Sequence, residues 1–156
     1  MRIALCAYLL PLTSKPCYPL GVSPALLHPM QANSEMPRTI LVVDDFDDTR
    51  LLLRTWLEKR GFRVLEAVNG LDAVARAESD SPDLIIMDVQ MPQLDGLSAT
   101  RRIRKVKELD TVPIVAVSAY GADQFRELAL EAGCDEYVST PFEPAALEGI
   151  IRSLVR

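Results

Sequence analysis

From Thr39 onward, short apolar runs alternate with stretches in which apolar residues recur at helical spacing. Five of these runs are predicted to be β-strands because they are short and rich in Val, Ile and Leu; they span residues 39–44, 63–68, 84–88, 113–118 and 136–139. Helices are predicted to begin near residues 47, 70, 94, 122 and 143. Regular alternation of strand and helix predicts an α/β fold with a parallel sheet and five helices.

The first 37 residues differ from the rest of the chain in their proline content. They contain six of the 11 prolines of the chain, a spacing that excludes a long helix or a paired strand. We therefore predict a Pro-rich N-terminal extension over residues 1–37 and one domain over residues 38–156. Three interpretations of the extension stay open: an unstructured segment or a start assigned upstream of a true start at Met36, a partner-binding tail, or an export or anchoring segment built on the apolar residues 3–12.

Composition and charge narrow the class of protein. A chain of 156 residues with 49% apolar residues is long enough for one sizeable core. Its net charge of −5 disfavours binding to nucleic acid, and the basic run at residues 101–107 is interpreted as the solvated C-terminal end of a helix. No apolar run is long enough to span a membrane, and the three cysteines lack metal-binding spacing, so we expect a reducing, cytoplasmic location.

Four of the predicted strands end in polar residues: Asp44 and Asp45, Asp88, Ser118, and Ser139 with Thr140. The ends of parallel strands share one edge of the sheet, which is where open α/β sheets bind ligands. Carboxylates gathered at one edge repel one another unless one retains a proton or a cation joins them. A site of carboxylate, carbonyl and water oxygens suits Mg²⁺, although paired aspartates at a strand end also commonly cap the next helix.

The segments Ile40-Leu41-Val42-Val43-Asp44-Asp45 and Ile85-Ile86-Met87-Asp88-Val89-Gln90-Met91-Pro92-Gln93-Leu94-Asp95-Gly96 resemble a response-regulator receiver domain of the chemotaxis-regulator type. The resemblance extends over residues 38–156. It implies a doubly wound, flavodoxin-like sheet of strand order 2-1-3-4-5.

The resemblance also implies a role for each matching residue. Asp88 would be the phosphoacceptor, and Asp45, Asp88 and the backbone carbonyl of Gln90 would bind Mg²⁺, with Asp44 acting mainly through water and local charge. Three further matches concern switching: Ser118 would be the switch hydroxyl, Ala119 the small residue beside it and Tyr137 the switch aromatic. Ser118 as an ordinary loop hydroxyl and Tyr137 as a static core residue remain alternatives.

One position departs from the pattern of the family. A lysine is expected immediately before the proline that follows the fifth strand, and here the sequence is Thr140-Pro141. The alignment has not slipped, because both Tyr137 and Pro141 are in register and no Lys or Arg occurs between Arg126 and Arg152. Without that cation, phosphorylation, signalling or both should be weakened.

The implied function is two-component phosphorelay signalling. The domain would accept a phosphoryl group from a histidine kinase or histidine phosphotransfer protein and change its contacts with a downstream protein. It would be a stoichiometric phosphoacceptor with at most slow autodephosphorylation, and not an enzyme. The alternative is a degenerate receiver that binds proteins without phosphorylation; a small-molecule-binding flavodoxin-like domain is disfavoured because no Gly-rich loop follows the first strand.

Overall fold

The computed structural model describes residues 36–119 and 123–155, with only the backbone at 123 and 124. The elements in chain order are β1 (Thr39–Val43), α1 (Asp47–Glu58), β2 (Arg63–Ala67), α2 (Gly70–Asp80), β3 (Leu84–Asp88), α3 (Gly96–Ile103), a 3₁₀ helix (Lys107–Leu109), β4 (Ile114–Ser118), α4 (Asp123–Ala132), β5 (Glu136–Ser139) and α5 (Pro144–Leu154). The predicted extension over residues 1–37 lies almost entirely outside the described residues.

The five strands form one parallel sheet in the order β2-β1-β3-β4-β5. This order confirms the predicted doubly wound α/β fold. Val43 pairs with Met87, and Ser118 pairs with Ser139, so the carboxyl ends of the central strands share one edge of the sheet.

Alternate residues of the buried strands pack on opposite faces of the sheet, as strand geometry requires. On one face, Ile40, Val42 and Ile86 pack with the apolar stripes of α1 and α5. On the other face, Leu41 and Ile85 pack with residues of α2, α3 and α4. Two cores therefore share one sheet, and the site described below lies at the edge of both.

The predicted start of the third helix differs from the structure. The third helix begins at Gly96 and not near Leu94, because Gln93 has a φ of 70° and Asp95 caps the helix by accepting a hydrogen bond from Ser98 N–H at 2.8 Å. Gly61 and Gly133, which follow α1 and α4, adopt the left-handed conformation with φ of 87° and 105° and so end these helices.

The basic run is only partly a solvated helix end. Arg104 lies just beyond α3, and its guanidinium donates hydrogen bonds to the carbonyls of Gly133 at 2.8 Å and Val112 at 2.7 Å. Arg104 therefore ties the end of α3 to the segments that flank β4 and β5. None of the helices in the described part of the chain has the length and apolar character needed to cross a bilayer.

Candidate functional site

Three carboxylates meet at the carboxyl edge of the sheet. Asp88 is the last residue of β3, and Asp44 and Asp45 follow the adjacent strand β1. One oxygen from each of the three residues lies within 4.8 Å of the others. The predicted convergence of these side chains is therefore present in the structure.

This oxygen cluster has the chemistry of a site for a hard divalent cation. Asp45 Oδ1 is buried and accepts no hydrogen bond from the described residues. A buried carboxylate oxygen without a partner is costly, and a cation that binds it removes the cost. Mg²⁺ takes oxygen ligands and usually keeps several waters, so the cluster fits it.

The pKa of Asp88 is raised to about 6. Burial is the largest cause; a hydrogen bond from Gln90 N–H to Asp88 Oδ1, at 3.2 Å, opposes it, and the charges of Asp44 and Asp45 add to it. The pKa of Asp44 is also raised, mainly by burial, although Phe46 N–H donates to its Oδ1 at 2.8 Å. The cluster thus holds its negative charge at a free-energy cost.

Arg50 supports the cluster from the first turns of α1, and the sequence analysis missed it. Its side chain is buried, and Nη1 donates to the backbone carbonyl of Asp44 at 2.7 Å. The guanidinium also pairs with Asp47. The available signal was spacing, because Arg50 lies three and seven residues before the buried Leu53 and Leu57.

Gly96 is a second residue that the sequence analysis gave no role. A Cβ atom added there would overlap the backbone carbonyl of Asp88. Gly96 N–H also donates to Val89 O at 3.0 Å. The first residue of α3 therefore packs directly against the end of β3 and fixes the backbone that carries Asp88.

A cavity of about 520 Å³ opens beside the carboxylates. Its lining includes five of the predicted site residues: Asp44, Asp88, Gln90, Ser118 and Ala119. Thr140 also lines it, and Thr140 N–H donates to Ser118 O at 2.8 Å. The departure from the family pattern is therefore located within the site.

Tyr137 lies apart from this lining. Its side chain is 8% exposed and packs in the core beneath α2, α3 and α4. Ser118 is also buried, with 1% exposure. The tyrosine therefore lies inside the core in this structure.

Comparisons with known proteins agree on one family. The model of the response regulator receiver domain matches residues 40–152. The chain is 36% identical to the alkaline phosphatase synthesis transcriptional regulatory protein PhoP of Bacillus subtilis, over 78% of this chain and 50% of PhoP. It is 34% identical to the polar-differentiation response regulator DivK of Brucella anthropi, over 74% of this chain and 94% of DivK.

A solved structure of a receiver domain is also similar to this chain. The receiver domain of the sensor histidine kinase PA1611 from Pseudomonas aeruginosa, solved with a magnesium ion in its active site cleft, aligns with a TM-score of 0.72 and 36% identity over 76% of this chain and 98% of that one. The chain spans about half the length of PhoP and of several other curated relatives it matches. Family match, fold and acidic edge agree: the chain belongs to the response regulator receiver domain family of two-component signalling.

Proposed function

We propose that Asp88 accepts a phosphoryl group from a histidine kinase or a histidine phosphotransfer protein. The observation that carries the proposal is the cluster itself, in which Asp88 shares one 4.8 Å oxygen site with Asp44 and Asp45 and borders an accessible cavity. An Asp88 oxygen attacks phosphorus in line, and the bond from phosphorus to the imidazole nitrogen breaks. The role is stoichiometric, with at most slow autodephosphorylation, and is exercised in the cytoplasm, where we expect the phosphodonors.

Asp45, Asp88 and the backbone carbonyl of Gln90 would hold Mg²⁺, and Asp44 would act mainly through water and local charge. When bound, Mg²⁺ offsets the negative charge on the oxygens of the transferring group. Asp45 Oδ1, which is buried and lacks a hydrogen bond from the described residues, supports this assignment. Arg50 holds the Asp44 carbonyl and so orients the loop that carries both aspartates.

The response to phosphorylation runs through the ends of β4 and β5. The Ser118 hydroxyl donates a hydrogen bond to the phosphoryl group, and the small Ala119 leaves room beside it. Because Thr140 N–H is bonded to Ser118 O, a shift of Ser118 moves the β5 end as well. Tyr137 then turns into the space vacated, and a downstream protein reads the altered surface.

A second function is favoured by Thr140. None of the described residues that line the cavity is Lys or Arg, so the phosphoryl group would lack a cationic side chain within this part of the chain. A receiver of this kind could act as a protein-binding module that needs no phosphorylation. The net charge of −5 disfavours nucleic acid as the partner in either case.

The two functions are separated by intact-mass measurement after incubation with phosphoramidate and Mg²⁺. We expect wild type to gain one phosphoryl group slowly and Asp88→Asn to gain none. Asp110→Asn removes an exposed carboxylate far along the chain from the cluster and should behave as wild type. Equal modification of wild type and Asp88→Asn, or none in wild type, would contradict the phosphoacceptor proposal and favour the binding module.

A further inference from the structure

The cavity beside Asp88 combines a negative and an apolar lining. Asp44 and Asp88 contribute carboxylates. Leu52 of α1, Phe142 before α5 and Pro144 at the start of α5 contribute apolar surface. Its volume of about 520 Å³ lies within the range of pockets that hold ligands. Such a lining complements a group with an apolar stem and a positive head.

Among the described residues that line the cavity, none is a Lys or Arg that could offset the charge of Asp44 and Asp88. Arg50 is nearby, but its guanidinium is engaged by the Asp44 carbonyl and by Asp47, and it is not a lining residue. One divalent ion would leave the three carboxylates with a net negative charge. An incoming phosphoryl group adds further negative charge, which a cationic side chain would offset.

The surface around the cavity favours a protein as the source of that cation. Phe46, which lines the cavity, is 67% exposed, and Leu52 is 69% exposed. The preceding residue on α1, Leu51, is 60% exposed. Exposed apolar residues grouped beside a polar site are typical of a surface that another protein covers.

We propose that the protein that presents the phosphohistidine also inserts a Lys or Arg side chain into this cavity, so that the acceptor site is completed in trans. The aliphatic stem packs on Leu52, Phe142 and Pro144, and the charged head contacts an equatorial phosphoryl oxygen next to Thr140. This inference rests on the proposed phosphoacceptor role of Asp88. It adds a specific feature of the partner: a basic residue beside its phosphohistidine.

The chemical step balances without any covalent change in that side chain. One bond forms between an Asp88 oxygen and phosphorus as the bond between phosphorus and the imidazole nitrogen breaks. The electron pair of the broken bond returns to the ring nitrogen, and the ring, protonated at its other nitrogen, leaves as neutral imidazole. The inserted cation stabilises the charge on the phosphoryl oxygens during transfer and remains protonated throughout.

The inference is tested by supplying the cation as a small molecule. The full chain is incubated with phosphoramidate and Mg²⁺ while n-butylammonium chloride is titrated, and phosphorylation is followed by intact mass. We expect a saturable acceleration of about tenfold, equivalent to one charge-assisted hydrogen bond. At matched concentration and ionic strength, n-butanol and tetramethylammonium chloride should have no such effect, because each lacks one required feature.

Variants of Thr140 test the location. Thr140→Lys supplies the ammonium group from the protein's own chain. Its phosphorylation should therefore be faster than that of wild type and should not respond to n-butylammonium. Thr140→Met is the matched control: it adds an uncharged stem, and it should stay slow and lose the response to the amine. Far-ultraviolet circular dichroism establishes that both variants fold, and amide shifts of Thr140 and Phe142 in wild type report n-butylammonium binding independently of the reaction.

The outcomes separate this inference from the proposed function. The proposal of a cation inserted by the partner fails if phosphorylation of Asp88 does not respond to n-butylammonium, or if Thr140→Lys responds as strongly as wild type. Either result leaves the phosphoacceptor role of Asp88 intact. Absence of phosphorylation with and without the amine overturns both. Binding of n-butylammonium tighter than about 1 mM would indicate a free cationic metabolite as the occupant, because a tethered side chain needs only weak intrinsic affinity.

Discussion

Asp88 is the residue at which stability and proposed function oppose each other. Burial and the charges of Asp44 and Asp45 raise its pKa to about 6, from an ordinary value of 3.8. Near neutral pH the folded protein without metal therefore keeps a carboxylate that its surroundings disfavour. The same crowding of negative charge favours the binding of a divalent cation, because the cation relieves the repulsion among the three carboxylates.

This opposition predicts how stability depends on pH. Between pH 3.8 and about 6, folded Asp88 binds more protons than unfolded Asp88, so its contribution to stability falls as pH rises through that window. In metal-free buffer at pH 8, Asp88→Asn should therefore raise the free energy of unfolding by about 1–2 kcal/mol, which allows for solvent screening of this half-buried group. Urea denaturation followed by circular dichroism measures the difference.

Two controls accompany this prediction. At pH 4, where most of the Asp88 carboxyl is protonated in the folded state, the variant should gain much less. Saturating Mg²⁺ at pH 8 should stabilise wild type more than Asp88→Asn, because the substitution removes an oxygen ligand. If Asp88→Asn has the same free energy of unfolding as wild type at pH 8 without metal, the charge of Asp88 does not destabilise the folded protein and the prediction is wrong.

At this scale the sequence predicted some site residues and missed others for a physical reason. Asp44, Asp45 and Asp88 could be placed together because the ends of parallel strands share an edge. Arg50 could not be assigned to them, because its role depends on which carbonyl the guanidinium reaches after folding. The need for glycine at position 96 likewise arises only from the close approach of α3 to β3.

At the scale of the elements, strands and helices were predictable and their ends less so. The pattern of apolar residues places each strand to within one residue of its observed limits. The start of α3 was misplaced because Leu94 is apolar yet lies in the turn between Gln93, with positive φ, and the capping residue Asp95. Local hydrogen bonds set the limits of an element, whereas periodicity sets its existence.

The junction of β3 and α3 gives a second prediction. Gly96→Ala places a Cβ against the Asp88 carbonyl, so either α3 or the Asp88 backbone must shift. We expect a loss of about 2 kcal/mol in the free energy of unfolding, the usual cost of overpacking, together with weaker Mg²⁺ binding. Urea denaturation and isothermal titration calorimetry measure the two effects.

The chain offers a matched control in α5. A Cβ added at Gly149 meets no atom within 4 Å, and the residue is exposed. Gly149→Ala should therefore leave Mg²⁺ binding unchanged and stabilise the protein by up to about 1 kcal/mol through helix propensity. Similar losses in both variants would mean that contact with the Asp88 carbonyl is not the cause.

At the scale of the whole molecule, the sheet joins the two cores and presents the site at its carboxyl edge. The βα rhythm predicted this architecture because each parallel strand needs a crossover, and helices then cover both faces. The position of Tyr137 could not be predicted in the same way. A tyrosine on β5 could point either into the core or towards solvent. The observed core position depends on packing with residues of α3 and α4, which are distant in sequence.

The last prediction concerns residues 38–156. All five strands find their partners within this range, and Arg38 contributes a carbonyl that accepts from Arg63 N–H at 2.9 Å and an ion pair with Asp83. We expect the fragment 38–156 to unfold in urea in one cooperative transition, with a free energy of unfolding within about 0.5 kcal/mol of the full chain. Circular dichroism and tryptophan fluorescence should report the same midpoint, because Trp56 packs against the core of α1 and α5. A fragment that unfolds gradually, or that loses several kcal/mol while its spectrum stays helical, would show that residues before 38 contribute to the fold of the receiver domain.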